Sequence, residues 1–289
     1  MRSILFALLA LIAVMGWMHA ARAAESYATC TNTVTALPKT ISTAGNWCLK
    51  GNLATSASTH AITIATDDVT LDCNNFEISE TGGAATTGIA IYSNNHFNTT
   101  IRHCNIQGFE HGIYLSSSSG TSGGGHLVED NHLEGSTVTG IRVSGDDSIV
   151  RDNLVFDTGG STVAGTTSTY GIYTNESVGV YDNTVMGVLG HVGANGNAYG
   201  VYSAASSAGT IDTNRLRGMV SDGTGKAVGV KVAGTGRRAV RDNDVFGNGA
   251  SNTGVSCAAS TARAKDNILD GFVTGRVTCG DAGDNDASH

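Results

Sequence analysis

The chain has 289 residues, a formal net charge of −8 and one proline. An acidic chain lacks the basic surface that nucleic-acid binding requires, so we expect no nucleic-acid partner. Proline cannot donate a backbone hydrogen bond, and its near absence is compatible with strands that are paired on both sides.

The N-terminal segment 1–23 is typical of a signal peptide. Arg2 precedes an apolar run over 4–17, which is followed by an Ala-Arg-Ala cleavage sequence. We predict a mature chain that starts near Ala24 and is secreted or periplasmic. A membrane anchor is the alternative, but the run is shorter than the ~20 residues that span a bilayer, so we expect no membrane contact after cleavage. Removing Arg2 and Arg22 leaves 15 basic residues (17 − 2) against 25 acidic ones, a net charge of −10.

A two-part phrase recurs through the rest of the chain. Its first half is a β-rich stretch that ends in Asp-Asn, as in LVEDNHL, IVRDNLV, GVYDNTV and AVRDNDV, and its second half is a glycine triplet such as GIYL, GIRV, GIYT or GVYS. The Asn positions mark a register: Asn74, Asn131, Asn153, Asn183, Asn214, Asn243 and Asn267, with Cys104 in the same slot. Their spacing varies from 22 (153 − 131) to 31 (214 − 183) residues, which a solenoid absorbs in loops.

Apolar residues keep step with this register. They stand three residues before the mark, from Leu71 and Ile101 onward, and two residues after it, at Phe76, Ile106, Leu133, Val155, Val185, Leu216, Val245 and Leu269. The glycine triplets add alternating inward positions, which is strand periodicity. We therefore predict an all-β parallel β-helix with three strands per coil and about eight to nine coils, in which the Asn residues form a hydrogen-bonded ladder.

The predicted organisation is a single domain. Residues 24–60 form an N-terminal cap, residues 61–280 form the β-helix, and residues 281–289 form a flexible tail.

Six cysteines in an exported chain suggest three disulfides. Cys257 and Cys279 end matching phrases one coil apart, and Cys73 and Cys104 occupy neighbouring slots on adjacent coils. Cys30 and Cys48 remain for the cap. Because no close Cys/His pair has zinc-ligand spacing, we predict no metal site from these residues.

The runs LPKTISTAGNWCLKGNL and HAITIATDDVTLDCNNFEISE, followed by the Asp-Asn and glycine phrases, resemble secreted proteins of the pectin-lyase-like superfamily. The resemblance covers nearly the whole mature chain and implies a single-stranded right-handed parallel β-helix. It also implies that a site, where one exists, lies on the outer face of one sheet beside long loops. The Gly-His-Gly and Arg-Ile-Lys segments of polygalacturonases and the Asp-Pro-His-Glu motif of alginate epimerases are absent.

The middle residue of each glycine triplet points outward. These residues form a column, which we call the outward column: Thr63, Ala90, Tyr114, Arg142, Tyr173, Tyr202, Lys231 and Ser256. We expect Tyr114, Tyr173 and Tyr202 to stack on sugar rings and Arg142 and Lys231 to pair with carboxylates. The alternative is that tyrosine is simply a good strand residue and that the cations keep the face soluble. The longest loops follow Asn153, Asn183 and Asn214, so they flank this column and are expected to wall a groove.

Candidate catalytic residues are Asp146, Asp147 and Glu176, with Arg142 or Lys231 as the base of a lyase. The alternative is that the Asp pair is a polar turn. The row of Asp residues that precedes the ladder is compatible with calcium or with solvated carboxylates, and otherwise no cofactor is expected.

We expect an exported β-helix that binds polysaccharide, with acidic glycan as the class that the cations fit. The alternatives are a polysaccharide lyase or glycoside hydrolase acting on uronate-containing glycan, and a non-catalytic structural or adhesive solenoid. The sequence does not define an oligomeric state.

Overall fold

The computed structural model describes residues 30–288 except 57, 118–122, 164, 166, 205–206 and 284–285. The predicted signal peptide lies outside the described residues. Among the described residues, the structure contains no helix whose length and hydropathy would let it cross a bilayer.

The described chain winds around three stacks of parallel strands, here called sheets 1 to 3, of which sheets 2 and 3 are joined through two long strands near the C-terminal end. Sheet 1 has the strands β1 (Asn32–Val34), β3 (Gly45–Leu49), β6 (Val69–Asp72), β9 (Thr100–Arg102), β12 (Leu127–Glu129), β15 (Ile149–Arg151), β18 (Gly179–Tyr181), β21 (Gly209–Asp212), β24 (Arg238–Arg241), β26 (Arg263–Lys265) and β28 (Gly280–Asp281).

Sheet 2 follows sheet 1 in every coil from β3 onward. Its strands are β4 (Leu53–Thr55), β7 (Glu77–Glu80), β10 (Asn105–Gln107), β13 (His132–Glu134), β16 (Leu154–Gly159), β19 (Thr184–Leu189), β22 (Arg215–Val220), β25 (Asp244–Cys257), β27 (Ile268–Val277) and β29 (Asp286–Ser288).

Sheet 3 completes each coil. Its strands are β2 (Lys39–Ile41), β5 (His60–Ile64), β8 (Ile89–Asn94), β11 (His111–Ser116), β14 (Thr139–Ser144), β17 (Ser168–Asn175), β20 (Asn197–Ser203), β23 (Ala227–Val232) and the second halves of β25 and β27. One 3₁₀ turn at Gly83–Ala85 lies between β7 and β8. The predicted all-β parallel solenoid with three strands per coil is confirmed.

Strand pairing extends beyond the predicted limits of the β-helix. β1 pairs with β3 inside the segment assigned to the cap, and β4 of that segment pairs with β7 of the β-helix. At the other end, β28 and β29 pair with β26 and β27 in the segment assigned to the tail. The coils therefore stack through both terminal segments.

The core runs as a continuous apolar column inside the three sheets. Ile101, Val128 and Val150 from sheet 1 and Leu133 and Val155 from sheet 2 are completely buried. Phe76 was assigned to the sheet 2 column, and that assignment is wrong. The pairing partner of Ile106 is Ile78, because the turn before β7 contains two extra residues, and Phe76 is only partly buried.

The Asn ladder is confirmed for six of its members. The side-chain oxygen of Asn153 accepts hydrogen bonds from the backbone N and from Nδ2 of Asn131, at 3.1 and 3.0 Å. Asn183, Asn214, Asn243 and Asn267 repeat the arrangement, and all six residues are buried. Asn74 does not belong to the ladder, because it lies in the longer turn before β7 with φ 51° and its Nδ2 donates to the Leu49 carbonyl oxygen at 2.9 Å.

All three predicted disulfides are present. Cys30 bonds to Cys48, Cys73 to Cys104, and Cys257 to Cys279. The Cys73–Cys104 and Cys257–Cys279 bonds link adjacent coils, and the Cys30–Cys48 bond ties the first described residue to β3.

Candidate functional site

The outward column lies on sheet 3, where strand pairing fixes its order. Tyr114 pairs with Arg142, Arg142 with Tyr173, Tyr173 with Tyr202, and Tyr202 with Lys231. The column position given to Ala90 is wrong, because Ala90 is completely buried and Tyr92 pairs with both Thr63 and Tyr114. The column therefore carries four tyrosines and two cations on six consecutive coils.

A second column runs beside the first, three residues earlier on each strand. Its members, in pairing order, are His60, Ile89, His111, Thr139, Tyr170, Tyr199 and Val228. The two columns touch through ring contacts, with His60 and Tyr92 3.9 Å apart and His111 and Tyr114 5.3 Å apart, centroid to centroid. The candidate surface is therefore two side chains wide at the partly exposed His60, His111, Tyr170 and Tyr199, whereas the other three members of the second column are buried.

Arg142 is held between two aromatic rings. Its guanidinium carbon lies 4.5 Å from the ring centroid of Tyr114 and 4.6 Å from that of Tyr173. Nε is buried without a hydrogen-bond partner, and no ion pair joins Arg142 to a carboxylate in the part of the chain that the structure describes. The rings fix the cation in place by cation–π attraction and leave its charge uncompensated.

The tyrosines stack on one another along the solenoid axis. Tyr173 and Tyr202 are 5.4 Å apart with an interplanar angle of 10°, and Tyr170 and Tyr199 are 5.4 Å apart with an angle of 12°. Edge contacts join the two pairs. Since the faces of Tyr173 contact Arg142 and Tyr202, this residue presents its ring edge and its hydroxyl to solvent. That geometry differs from the expected stacking of a sugar on its face.

The long loops between sheet 2 and sheet 3 are tied to neighbouring coils by hydrogen bonds. The loop between β16 and β17 reaches back to the turn before β8, where the Thr162 backbone N donates to the Ala84 carbonyl oxygen at 2.8 Å. The loops before β20 and β23 bind each other, since Asp222 accepts the backbone N–H groups of Gly193 and Asn195 at 2.8 and 3.2 Å.

Glu110 and His111, which precede Tyr114 in the sequence, are two further titratable residues beside the outward column. Burial, with a smaller effect of the Arg142 charge, lowers the pKa of His111 to about 4, so its imidazole is neutral at pH 7. Burial also raises the pKa of the neighbouring Glu110 carboxyl. A His-Gly-Ile-Tyr phrase was visible in the sequence, but the contact of His111 with Tyr114 depends on both side chains lying outward across the intervening glycine.

The predicted catalytic carboxylates lie at the opposite edge of sheet 3, in the turns that lead to sheet 1. Asp147 and Glu176 have left-handed backbones, with φ 57° and 63°, and the Asp146 carboxylate accepts the Ser177 backbone N–H at 3.0 Å. No ion pair connects any of the three to Arg142 among the described residues. Asp146 therefore has a structural bond of its own, and the fold does not gather these carboxylates around the outward column.

Sheet 1 carries the other charged column, and there the cations are neutralised. Arg102 pairs with Asp72 at 2.9 Å, Arg151 with Glu129 at 2.6 Å, and Arg241 with Asp212 at 2.8 Å. Within the described ranges, no group of three or more His, Cys, Asp or Glu side chains is arranged to hold a metal ion. Among the described residues, the cations of this sheet 1 column thus have carboxylate partners, whereas Arg142 on sheet 3 has none.

No protein-family model and no curated protein matches the sequence. Solved structures do match. An alginate lyase from Paenibacillus sp. str. FPU-7 is 13% identical, with a TM-score of 0.50 over 89% of this chain and 100% of that chain. The A-module of mannuronan C-5 epimerase AlgE6 from Azotobacter vinelandii is 12% identical, with a TM-score of 0.48 over 84% and 81% of the two chains. The catalytic domain of a GH87 alpha-1,3-glucanase has a TM-score of 0.34 at 10% identity, over 89% and 63%. At this identity the likeness to the alginate lyase concerns the fold alone, and this chain shares the right-handed parallel β-helix fold of pectin-lyase-like proteins.

Proposed function

We propose that the protein is an exported polysaccharide-binding β-helix and that the outward column binds an acidic glycan. The observation that carries the proposal is Arg142, a fixed cation between Tyr114 and Tyr173 with no acidic partner among the described residues. An unpaired cation on a rigid face is suited to a carboxylate ligand, which a guanidinium binds through two parallel hydrogen bonds.

The repeat of the surface fits a polymer. Adjacent coils lie ~4.8 Å apart, which is comparable to the length of one sugar unit in an extended chain. The hydroxyls of Tyr173 and Tyr202 and the ammonium of Lys231 follow Arg142 on successive coils. Three disulfides support export to an oxidising compartment, either the periplasm or the exterior.

Binding of oligogalacturonate or alginate fragments, measured by calorimetry, tests the proposal. Replacing Arg142 by Gln should weaken binding by about 1–3 kcal/mol, because a charge-assisted hydrogen bond is lost. Arg217→Gln is the matched control, since Arg217 also lies over an aromatic ring, 4.7 Å from that of Phe246, but on sheet 2. Equal losses in both variants would mean a diffuse attraction of charge, and no binding by wild type would favour the structural solenoid.

A further variant tests whether the glycan contacts the Tyr173 hydroxyl. Tyr173→Phe keeps the ring that supports Arg142 and removes only the hydroxyl. If the sugar contacts the ring edge, this change should weaken binding by about 1 kcal/mol. Unchanged binding in Tyr173→Phe would mean that the glycan does not contact this hydroxyl.

Lyase activity on the same glycan is the second candidate, favoured by the neutral His111 beside Tyr114 and Arg142. In a uronate elimination, His111 would take the proton next to the carboxylate, the C4–O4 bond would break as a C4–C5 double bond forms, and the leaving oxygen would take a proton from Tyr114. Arg142 would balance the charge that develops on the carboxylate. Hydrolysis would instead need two carboxyl groups that flank the scissile bond, and of the candidates the Asp146 carboxylate already accepts the Ser177 backbone N–H at 3.0 Å.

The two candidates differ in one measurement. An elimination leaves an unsaturated product that absorbs in the ultraviolet, whereas binding alone leaves the glycan intact. Absorbance that grows with wild type and is lost in His111→Ala would support the lyase. Glycan binding without such a product would support the binding function and contradict the lyase.

A further inference from the structure

A cleft opens on sheet 3 where the tyrosine stack ends. It has a volume of about 460 Å³ and lies beyond Tyr199, over the strands β23, β25 and β27. The cleft exists because the side chains of both columns become smaller there: Val228 and Thr253 follow Tyr199 on the next coils, and Ser256 follows Lys231. Its volume is within the range of small-molecule sites, roughly 300–1,000 Å³.

Tyr199 forms one end of this cleft. Its ring stacks on Tyr170 at 5.4 Å and meets the edge of Tyr202 at 4.9 Å. The residue paired with Tyr199 on the following coil is Val228, which has no ring, and both residues line the cleft. A ring-shaped ligand placed there would occupy the next position in the Tyr170–Tyr199 stack.

Two lysines also line the cleft, out of five in the whole sequence, and its described lining contains no Asp or Glu. The Lys231 ammonium donates to the Ser256 hydroxyl at 2.9 Å, and the loop before β23 is fixed by a bond from the Lys226 backbone N to the Asn197 side-chain oxygen at 2.9 Å. Burial and, to a smaller extent, the charge of Lys226 lower the pKa of Lys231.

We propose that this cleft binds a saccharide ring that carries an anionic group, either a carboxylate or a sulfate ester. The ring stacks on the open side of Tyr199, and the anion lies between Lys226 and Lys231. This inference rests on the proposed function, because it assigns one subsite of the same face, and it names the charge that this subsite recognises.

Lysine footprinting with acetic anhydride tests the site without a polymer. Wild-type protein is acylated with glucuronate, with glucose 6-sulfate, with glucose or with no sugar, and the modified lysines are found by mass spectrometry. At saturating concentration, at least one of the two anionic sugars should slow acylation of Lys226 and Lys231 about tenfold. Lys39, which lies over Trp47, and Lys265, which pairs with Asp266, are internal references that should not change. The sugar that protects the two lysines shows whether the cleft recognises a carboxylate or a sulfate ester.

Variants complete the test. Tyr199→Ala should abolish the protection of both lysines, whereas Arg217→Gln on sheet 2 should retain it. Equal protection by glucose would overturn the role of the anion, and absence of protection with both anionic sugars would overturn the site.

The outcomes also separate this site from the proposed function. Oligouronate binding that depends on Arg142 but leaves Lys226 and Lys231 reactive would overturn the cleft and retain the polysaccharide function. Protection by glucuronate in a protein that binds no oligosaccharide would retain the cleft and overturn the wider binding face.

Discussion

The ladder asparagines satisfy backbone groups that no strand can reach. At the corner between sheet 1 and sheet 2, the Asn153 amide donates to the Val128 carbonyl oxygen at 2.9 Å and to the next Asn side chain at 3.0 Å. Its oxygen receives the backbone N–H of the previous corner. Each asparagine therefore ties together three coils, which explains why the residue recurs despite its low strand propensity.

Replacing Asn153 by Ala should lower the free energy of unfolding by roughly 3 kcal/mol, since donors and acceptors on two neighbouring coils become buried without partners. Thermal melting followed by circular dichroism would measure the loss. Asn94→Ala is the control, because Asn94 is an exposed strand residue. Equal melting temperatures for the two variants would contradict a structural ladder.

The aspartates before the ladder take the left-handed position of each corner. Asp130, Asp152, Asp182, Asp242 and Asp266 have φ between 51° and 56°. Asp and Asn tolerate this conformation better than other non-glycine residues. Placing a carboxylate at each corner has an electrostatic cost. Burial, followed by the neighbouring carboxylates of Asp130 and Asp182, raises the pKa of Asp152.

A raised carboxyl pKa in the fold means that the charged form of Asp152 disfavours folding. Asp152→Asn should therefore stabilise the protein at neutral pH, where the carboxyl is ionised, while keeping a residue that accepts a positive φ. The gain should shrink as pH falls through the folded pKa and vanish below the ordinary value of 3.8. Denaturant titrations at pH 7 and at pH 3 would measure this gain in the free energy of unfolding. A gain that is the same at both pH values would show that the aspartates of this row do not repel one another.

At the scale of the strand, the glycine triplets are explained by packing. A Cβ at Gly171 would lie 2.7 Å from the carbonyl oxygen of Gly200 and would overlap the Val185 side chain. The backbone of Gly171 is not left-handed, so the glycine serves the close approach of sheet 2 to sheet 3.

Gly171→Val should therefore destabilise the fold by about 3 kcal/mol, the upper part of the usual range for overpacking. Gly51→Val is the matched control, since a Cβ at Gly51 has no neighbour within 4 Å. Chemical unfolding of both variants measures the difference. Similar midpoints would show that the coil can shift to accept the larger side chain.

The glycine position also explains which part of the outward column the sequence could predict. In the central coils the glycine is invariant within the repeat, so the outward positions of Arg142, Tyr173 and Tyr202 follow from a period of two. In β8 the position that corresponds to this glycine is Ala90, because Ile91 pairs with Ile113. Aligning the repeat on the nearby Gly88 instead places the outward position two residues too early. The stacking of the tyrosines and the unpaired state of Arg142 depend on side-chain rotamers, which sequence periodicity does not encode.

At the scale of the molecule, each coil contacts mainly its two neighbours. Stability in such a solenoid is close to a sum of local terms, so its ends are its weak points. The Cys257–Cys279 disulfide joins the last two complete coils, next to β26 and β27, and Cys73–Cys104 joins two coils near the other end. The covalent links thus lie where a coil has the fewest neighbours to hold it.

A double variant, Cys257→Ala with Cys279→Ala, should open the C-terminal coils before the rest. Removing a crosslink across 22 residues costs about 3 kcal/mol in the chain-entropy account. Because coupling is nearest-neighbour, hydrogen exchange should accelerate in β26 and β27 while amides in β12 and β15 keep their protection. The Cys73→Ala, Cys104→Ala variant is the control, with faster exchange expected in β6 and β9 instead. Uniform acceleration along the whole chain in either variant would mean that the solenoid unfolds as one cooperative unit.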